Sequence, residues 1–228
     1  METVVISGAN RGIGLELTRR FAANNCRVFA GCRVPKQATQ LSELSKDTDI
    51  DIRTLDVTSG DDVEALRAEL DGQTVDILIN NAGIMGSQRQ TVSDMDYDSW
   101  LKAFEVNTLA PFRLATALKP SISRSSNPRI VTISSQMGSL NRKSKGSFAY
   151  RSSKAAVNKV MQVLAAELEA DDIIVCPVHP GWVRTDMGGP EAEISVGESA
   201  DGLFSLINNL TKDQSGRFWT WEGKEHDW

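Results

Sequence analysis

Short β-branched runs alternate with longer helical patterns from one end of the chain to the other. The runs that read as strands are Thr3–Ser7, Arg27–Cys32, Ile50–Leu55, Val75–Asn80, Arg129–Ser134, Ile173–Val178 and Arg217–Thr220. Most lack the polar/apolar alternation of a half-exposed strand, the pattern expected of strands covered on both faces. Between them, helical spacing predicts helices near Gly12–Asn24, Lys36–Ser45, Asp61–Leu70, Tyr97–Ser123, Tyr150–Glu169 and Glu198–Asn209. Ser59, ahead of Asp61-Asp62-Val63-Glu64, reads as an N-cap with a negative first turn that suits the helix dipole. The alternation predicts an α/β protein: one doubly wound, Rossmann-type parallel sheet of about seven strands, with helices on both faces. The 228 residues are expected to form a single domain. In such sheets ligands lie beyond the carboxyl ends of the strands. The polar and glycine residues concentrate in those segments: Gly8–Gly14, Arg33, Asp56-Val57, Asn81–Gly86, Ser135–Ser147 and Pro180–Gly189.

Composition narrows the chemistry. A net charge of −5 leaves no basic surplus for neutralising nucleic-acid phosphates. The three cysteines, Cys26, Cys32 and Cys176, are odd in number and lie in apolar runs, so buried free thiols in a reducing compartment are expected. Two histidines and no CxxC motif argue against a metal site. No apolar run approaches the roughly 18 residues of a membrane span. Met1-Glu2-Thr3 enters a strand-like run without a basic leader, so a cytoplasmic location is expected and neither membrane nor nucleic acid as partner.

The segment Ser7-Gly8-Ala9-Asn10-Arg11-Gly12-Ile13-Gly14 joins the first strand to an amphipathic helix. Glycine lets backbone approach a pyrophosphate, and a helix N-terminus offers free N–H donors and a positive dipole. Glycines alone would also suit a tight structural turn; their place between strand and helix favours a nucleotide site. The second strand ends Ala30-Gly31-Cys32-Arg33, without the acid that holds the ribose hydroxyls of NAD. Arg11 and Arg33 could converge on a 2′-phosphate, favouring NADP(H). The alternative is two solvated surface arginines.

Tyr150 and Lys154, four apart on a predicted helix, share one face. Ser135 lies just past a strand, where it could reach the same crevice. A phenol titrates near pH 10, so acid–base work near neutrality needs a nearby cation, here Lys154. A serine hydrolase is excluded: there is no Gly-x-Ser-x-Gly elbow.

Taken together, Ser7–Gly14, Asn80-Asn81-Ala82-Gly83, Asn107, Ser135, Tyr150-x-x-x-Lys154 and Pro180-Gly181 resemble the short-chain dehydrogenase/reductase family, in its order and at its spacings over nearly the whole chain. The stretches Ala9–Glu16, His179–Met187 and the tail from Ser215 to Trp228 resemble the branch containing the C-factor signalling protein and the sniffer-type carbonyl reductases. The resemblance implies that Tyr150 is the general acid in reduction and general base in oxidation. Lys154 would hold the nicotinamide ribose and lower the tyrosine pKa, Ser135 would polarise the carbonyl, and Asn107 would hold a proton-relay water. The cofactor would be held by Gly8, Asn10, Arg11, Gly12, Ile13, Gly14 and Arg33. Asp56 and Val57 would meet adenine, and Asn80, Asn81, Ala82 and Gly83 would line the adenosine side. Pro180, Gly181, Val183 and Thr185 would set the exposed nicotinamide face.

Bland readings stand beside these. Asn107 could be an ordinary buried polar residue, Asp56 a turn residue, and Ser134 rather than Ser135 the donor. Trp182, Met137, Met187 and Phe148 could wall the substrate or simply pack. The chain is short after Met187, so little lid over the substrate is expected. Its Glu225-His226-Asp227-Trp228 ending lacks the proline relatives carry before the last tryptophan. The expected function is reversible, NADPH-dependent reduction of small ketones and aldehydes by a homodimer or homotetramer. The rival is a signalling protein that binds NAD(P) with little turnover.

Overall fold

In a computed structural model describing every residue from Met1 to Trp228, all seven strands form and run parallel. They are β1 (Thr3–Ser7), β2 (Arg27–Cys32), β3 (Ile50–Thr54), β4 (Ile77–Asn80), β5 (Arg129–Ile133), β6 (Ile174–His179) and β7 (Trp219–Thr220). The sheet order is β3-β2-β1-β4-β5-β6-β7, which reverses between β1 and β4. The helices are α1 (Gly12–Ala23), α2 (Thr39–Leu44), α3 (Gly60–Glu69), α4 (Tyr97–Phe104), α5 (Ala110–Ile122), α6 (Phe148–Glu167) and α7 (Val196–Asn209).

Two apolar layers flank the sheet. Val4, Ile6, Val28 and Cys176 pack with Leu17, Phe21, Leu203 and Ile207 of α1 and α7. Val5, Phe29, Leu78 and Val175 pack with Leu66, Leu114, Leu118, Val157 and Met161 of α3, α5 and α6. Neighbouring residues of each central strand therefore go to opposite layers and both are buried, which explains the missing alternation. Each fully buried large side chain is worth about 1.5–3 kcal/mol. The register Ser7↔Gly31 and Ile6↔Ile79 brings the ends of β1, β2 and β4 to one edge. All three cysteines are buried and free. No helix is long and apolar enough to cross a membrane.

Three local expectations are corrected. The helix predicted over Tyr97–Ser123 is broken by a wide π-type turn at Glu105–Leu109. Pro111 follows in the first turn of α5 and has no N–H to give the Asn107 carbonyl four residues back, so the regular ladder cannot run through. The helix predicted from Lys36 begins instead as a 3₁₀ turn at Pro35–Gln37, and α2 proper starts at Thr39. The last strand shortens to two residues. The Ser59 cap is present, its hydroxyl accepting from the Asp62 N–H at 3.1 Å.

Candidate active site

The carboxyl edge is welded before any ligand is considered. The Ser7 hydroxyl accepts from the backbone N–H groups of Asn81 (3.1 Å) and Ala82 (3.2 Å). The Asn81 amide donates back to the carbonyls of Ser7 (3.1 Å) and Gly8 (3.0 Å). Gly8 sits at φ +66°, and a Cβ on Gly14 would fall 2.2 Å from the Gly8 carbonyl oxygen, so the loop and α1 can close this tightly only with glycine. Arg11, the residue capping α1, makes no side-chain cap, which leaves the first N–H groups of α1 to the cleft.

That cleft has a volume of about 560 Å³. Its lining includes Gly8, Asn10, Arg11, Gly12 and Ile13 from the first loop, Arg33 from the second, and Asp56 and Val57 from the third. Asn81, Ala82, Gly83, Tyr150, Lys154, Pro180 and Thr185 complete the wall among the anticipated residues. Gly14, Gly181, Val183, Asn107 and Ser135 do not line it. Gly14 fits against Gly8, and Gly181 takes φ +90° with Ile194 and Trp221 close behind. Val183 is buried.

The end of β2 carries no acid, and Arg33 lies within reach of no carboxylate ion pair. Its charge is felt by Asp56, whose carboxylate accepts from the Thr58 N–H (2.9 Å) and hydroxyl (2.7 Å). Those bonds, then the Lys102 and Arg33 charges, hold Asp56 below the usual carboxylate range. Arg11 and Arg33 both line the cleft and differ in what else they meet. Arg11 is turned across the first loop onto Asp186, because an exposed guanidinium takes the nearest carboxylate.

On α6 the four-residue spacing puts Tyr150 and Lys154 on one buried face. Ser135 stands next to Tyr150 and its hydroxyl accepts from the Met137 N–H at 3.1 Å, whereas the Ser134 hydroxyl is committed to Asn158 at 2.5 Å, which leaves the second serine as the candidate donor. Burial pushes the Tyr150 pKa up, opposed by the neighbouring Ser135 hydroxyl. Lys154 donates to the Ile133 carbonyl at 2.7 Å, lies 5.8 Å from the Tyr150 ring, and is itself brought down by burial to about 8. The Asn107 side chain is spent on positioning: it accepts from the Ile84 N–H (2.8 Å) and donates to the Ile84 carbonyl (2.8 Å) and Ser153 (2.9 Å).

Other contributors escaped the sequence reading. Gly138 lets the turn after Ser135 lie against α6, where a Cβ would come 2.6 Å from the Lys154 carbonyl carbon. Gln90 braces the start of α6, accepting from the Ala149 N–H at 2.8 Å. Lys102, Arg184 and Asp186 also line the cleft. A glycine three residues past a candidate donor was a readable signal; Gln90 and Ser153 carried none. Beyond Met187 no lid helix is built. Residues up to Ile194 fold back on Trp182 and Arg184, whose guanidinium ties down the carbonyls of Ala192 and Glu193. The tail docks despite its altered ending, the Trp228 carbonyl accepting from the N–H groups of Leu140 and Asn141.

Residues 2–194 match the family model described as short chain dehydrogenase. The chain belongs to that family. It is 34% identical to the NADPH-bound carbonyl reductase from chicken fatty liver, with a TM-score of 0.93 over 100% of this chain and 99% of that one. It is 30% identical to the carbonyl reductase Sniffer of D. melanogaster, with a TM-score of 0.95 over the full length of both. It is 37% identical to the C-signal of Myxococcus xanthus over 68% of this chain and 93% of that protein. The sequence thus falls near the C-factor and sniffer branch, and the protein is an oxidoreductase of the short-chain type. The cleft fits NADP(H): glycine-lined backbone at an open helix N-terminus, and an arginine in place of an acid at the end of β2.

Proposed function

We propose that this enzyme is an NADPH-dependent carbonyl reductase that interconverts ketones or aldehydes with their alcohols. The observation that carries this reading is that α6 sets Tyr150 and Lys154 on one buried face in the wall of the cleft, with Ser135 next to the tyrosine. The dihydronicotinamide supplies the hydride when the cofactor is bound. Ser135 donates to the carbonyl oxygen, and Tyr150, kept protonated by burial, delivers the proton that oxygen needs. Lys154, fixed by Ile133, offers its remaining N–H bonds to ribose hydroxyls, with a cation beside the phenol while it stays protonated. Asn107 acts through Ile84, holding the loop that lines the cofactor. The catalytic set is thus Ser135, Tyr150 and Lys154, with Asn107 as support.

A panel of ketones and aldehydes, followed by loss of NADPH absorbance, tests the reading. NADPH binding without reduction of any compound would favour a signalling role like that in the C-signal's name, which the 37% identity keeps open. A binding protein, however, has no need of a buried tyrosine one helical turn from a buried lysine in the cleft wall. Self-association is proposed through α4, the break after it, α5 and α6, where Leu101, Leu109, Phe112 and Val163 stand exposed. A cytoplasmic site of action suits the free thiols.

A further inference from the structure

Charge is distributed very unevenly along this chain. From Val106 to Ala166 there is no aspartate or glutamate, yet the segment holds ten of the 25 lysines and arginines. The rest of the chain carries all 30 acids. Four of these cations, Arg142, Lys143, Lys145 and Arg151, fall within ten residues of one another. They lie on or beside the loop that leaves Ser135 and arrives at Tyr150, so the loop is anchored at both ends by the two groups that meet a carbonyl oxygen.

The fold gives these cations no acidic partner. Most other lysines and arginines sit within ion-pair distance of a carboxylate, including neighbours on the same cleft such as Arg11, Lys102 and Arg184. Arg142 instead donates to the neutral side chain of Gln136. Arg151 bonds to the Gly146 carbonyl at 3.1 Å and the Ser144 hydroxyl at 2.7 Å, which holds the loop in shape. Lys143 and Lys145 are exposed and make no hydrogen bond or ion pair. The loop base is itself held, by the Trp228 carbonyl on Leu140 and Asn141. None of the four lines the cleft itself, but Arg142 is tied to the residue after Ser135, and Arg151, the residue after Tyr150, is tied to the loop, so the cluster stands beside the reacting pair. Unpaired cations so placed attract anions, and the effect is screened by salt.

Resting on the carbonyl-reductase reading, we propose that the physiological substrates are anionic carbonyl compounds, with a carboxylate or phosphate a short chain away from the reacting carbonyl that is met by Arg142, Lys143 and Lys145. The carbonyl end enters between Ser135 and Tyr150 while the anionic end stays at the rim, half in water. Met187, half-exposed and lining the cleft, gives the chain between them an apolar surface.

The test uses ω-oxo carboxylic acids of increasing chain length, their methyl esters, and the matching ω-oxo phosphates, each assayed with the NADPH-loaded enzyme. At low salt, at least one acid or phosphate should exceed its neutral counterpart about tenfold in kcat/KM. The preference should shrink at 0.5 M salt (about half molar) as screening shortens. Comparing acids with phosphates shows which anion the rim takes. A triple variant, Arg142→Gln, Lys143→Gln and Lys145→Gln, should lose the preference while reducing the esters as the parent does. If esters are reduced and the anions are never favoured, or the triple variant keeps the preference, this inference falls and the reductase reading stands. If neither esters nor anions are reduced, the reductase reading falls and takes this inference with it.

Discussion

At Tyr150, phenylalanine would keep the ring and its packing on α6 and remove only the hydroxyl that meets Ser135. A positioned general acid is worth roughly 10²–10⁴ in rate. Tyr150→Phe should therefore lower carbonyl reduction by at least about a hundredfold, with NADPH affinity measured by fluorescence titration nearly unchanged. Lys154 predicts a pH effect. Burial disfavours its charged form and brings it to about 8, so the free enzyme loses this cation as pH rises through that value. The kcat/KM for NADPH, which reports the free enzyme, should fall above about pH 8, and Lys154→Gln should remove that limb of the profile. Arg33 makes the cofactor prediction. Replacing it with aspartate should weaken NADPH about ten- to a hundredfold, the loss of a charge-assisted contact of about 1.5–3 kcal/mol, and should favour NADH in relative terms. Equal NADPH affinity in parent and variant would remove Arg33 from the site.

At the level of elements, the site depends on how closely the turn at Gln136–Gly138 lies against α6. Gly138→Ala would push a methyl toward the Lys154 backbone, and overpacking of this kind costs about 1–3 kcal/mol. Because the same turn carries Ser135, the loss in kcat should exceed what the fall in thermal stability accounts for; a drop in stability alone would make Gly138 a packing residue only. The break at Glu105–Leu109 is a second such device. It turns Asn107 onto Ile84 and Ser153, joining α4, α6 and the loop after β4 around the cleft.

For the whole molecule, His179 at the end of β6 contributes to the loss of stability in acid. It is buried, its Nδ1 has no partner, and His226 and Arg142 face it. Burial first, then those two charges, lowers its pKa from 6.5 to about 4. Because the folded state binds this proton less readily than the unfolded chain, stability is lost as pH falls from about 6.5 to about 4 and levels off below. The full loss is of order 3 kcal/mol. Thermal melts should show a shallower acid limb in His179→Gln than in the parent. Light scattering of the intact protein should return at least twice the 24.9 kDa chain mass, and Leu109→Glu with Phe112→Glu should reduce it to one.

The strand runs and their missing alternation determined the sheet, because a strand buried on both faces has no polar side to show. The glycines between β1 and α1, the arginine ending β2 and the Tyr150–Lys154 spacing were equally legible, since each needs only local geometry to be meaningful. What the sequence could not decide were matters of partnership across distance. Two serines stood side by side, and only the packing of α6 gave Ser134 to Asn158 and left Ser135 beside Tyr150. Arg11 and Arg33 looked equivalent until the loop after β6 brought Asp186 to Arg11, 175 positions away. Burial likewise set the protonation of Tyr150, Lys154 and His179, because desolvation depends on everything packed around a group and not on its neighbours in the chain.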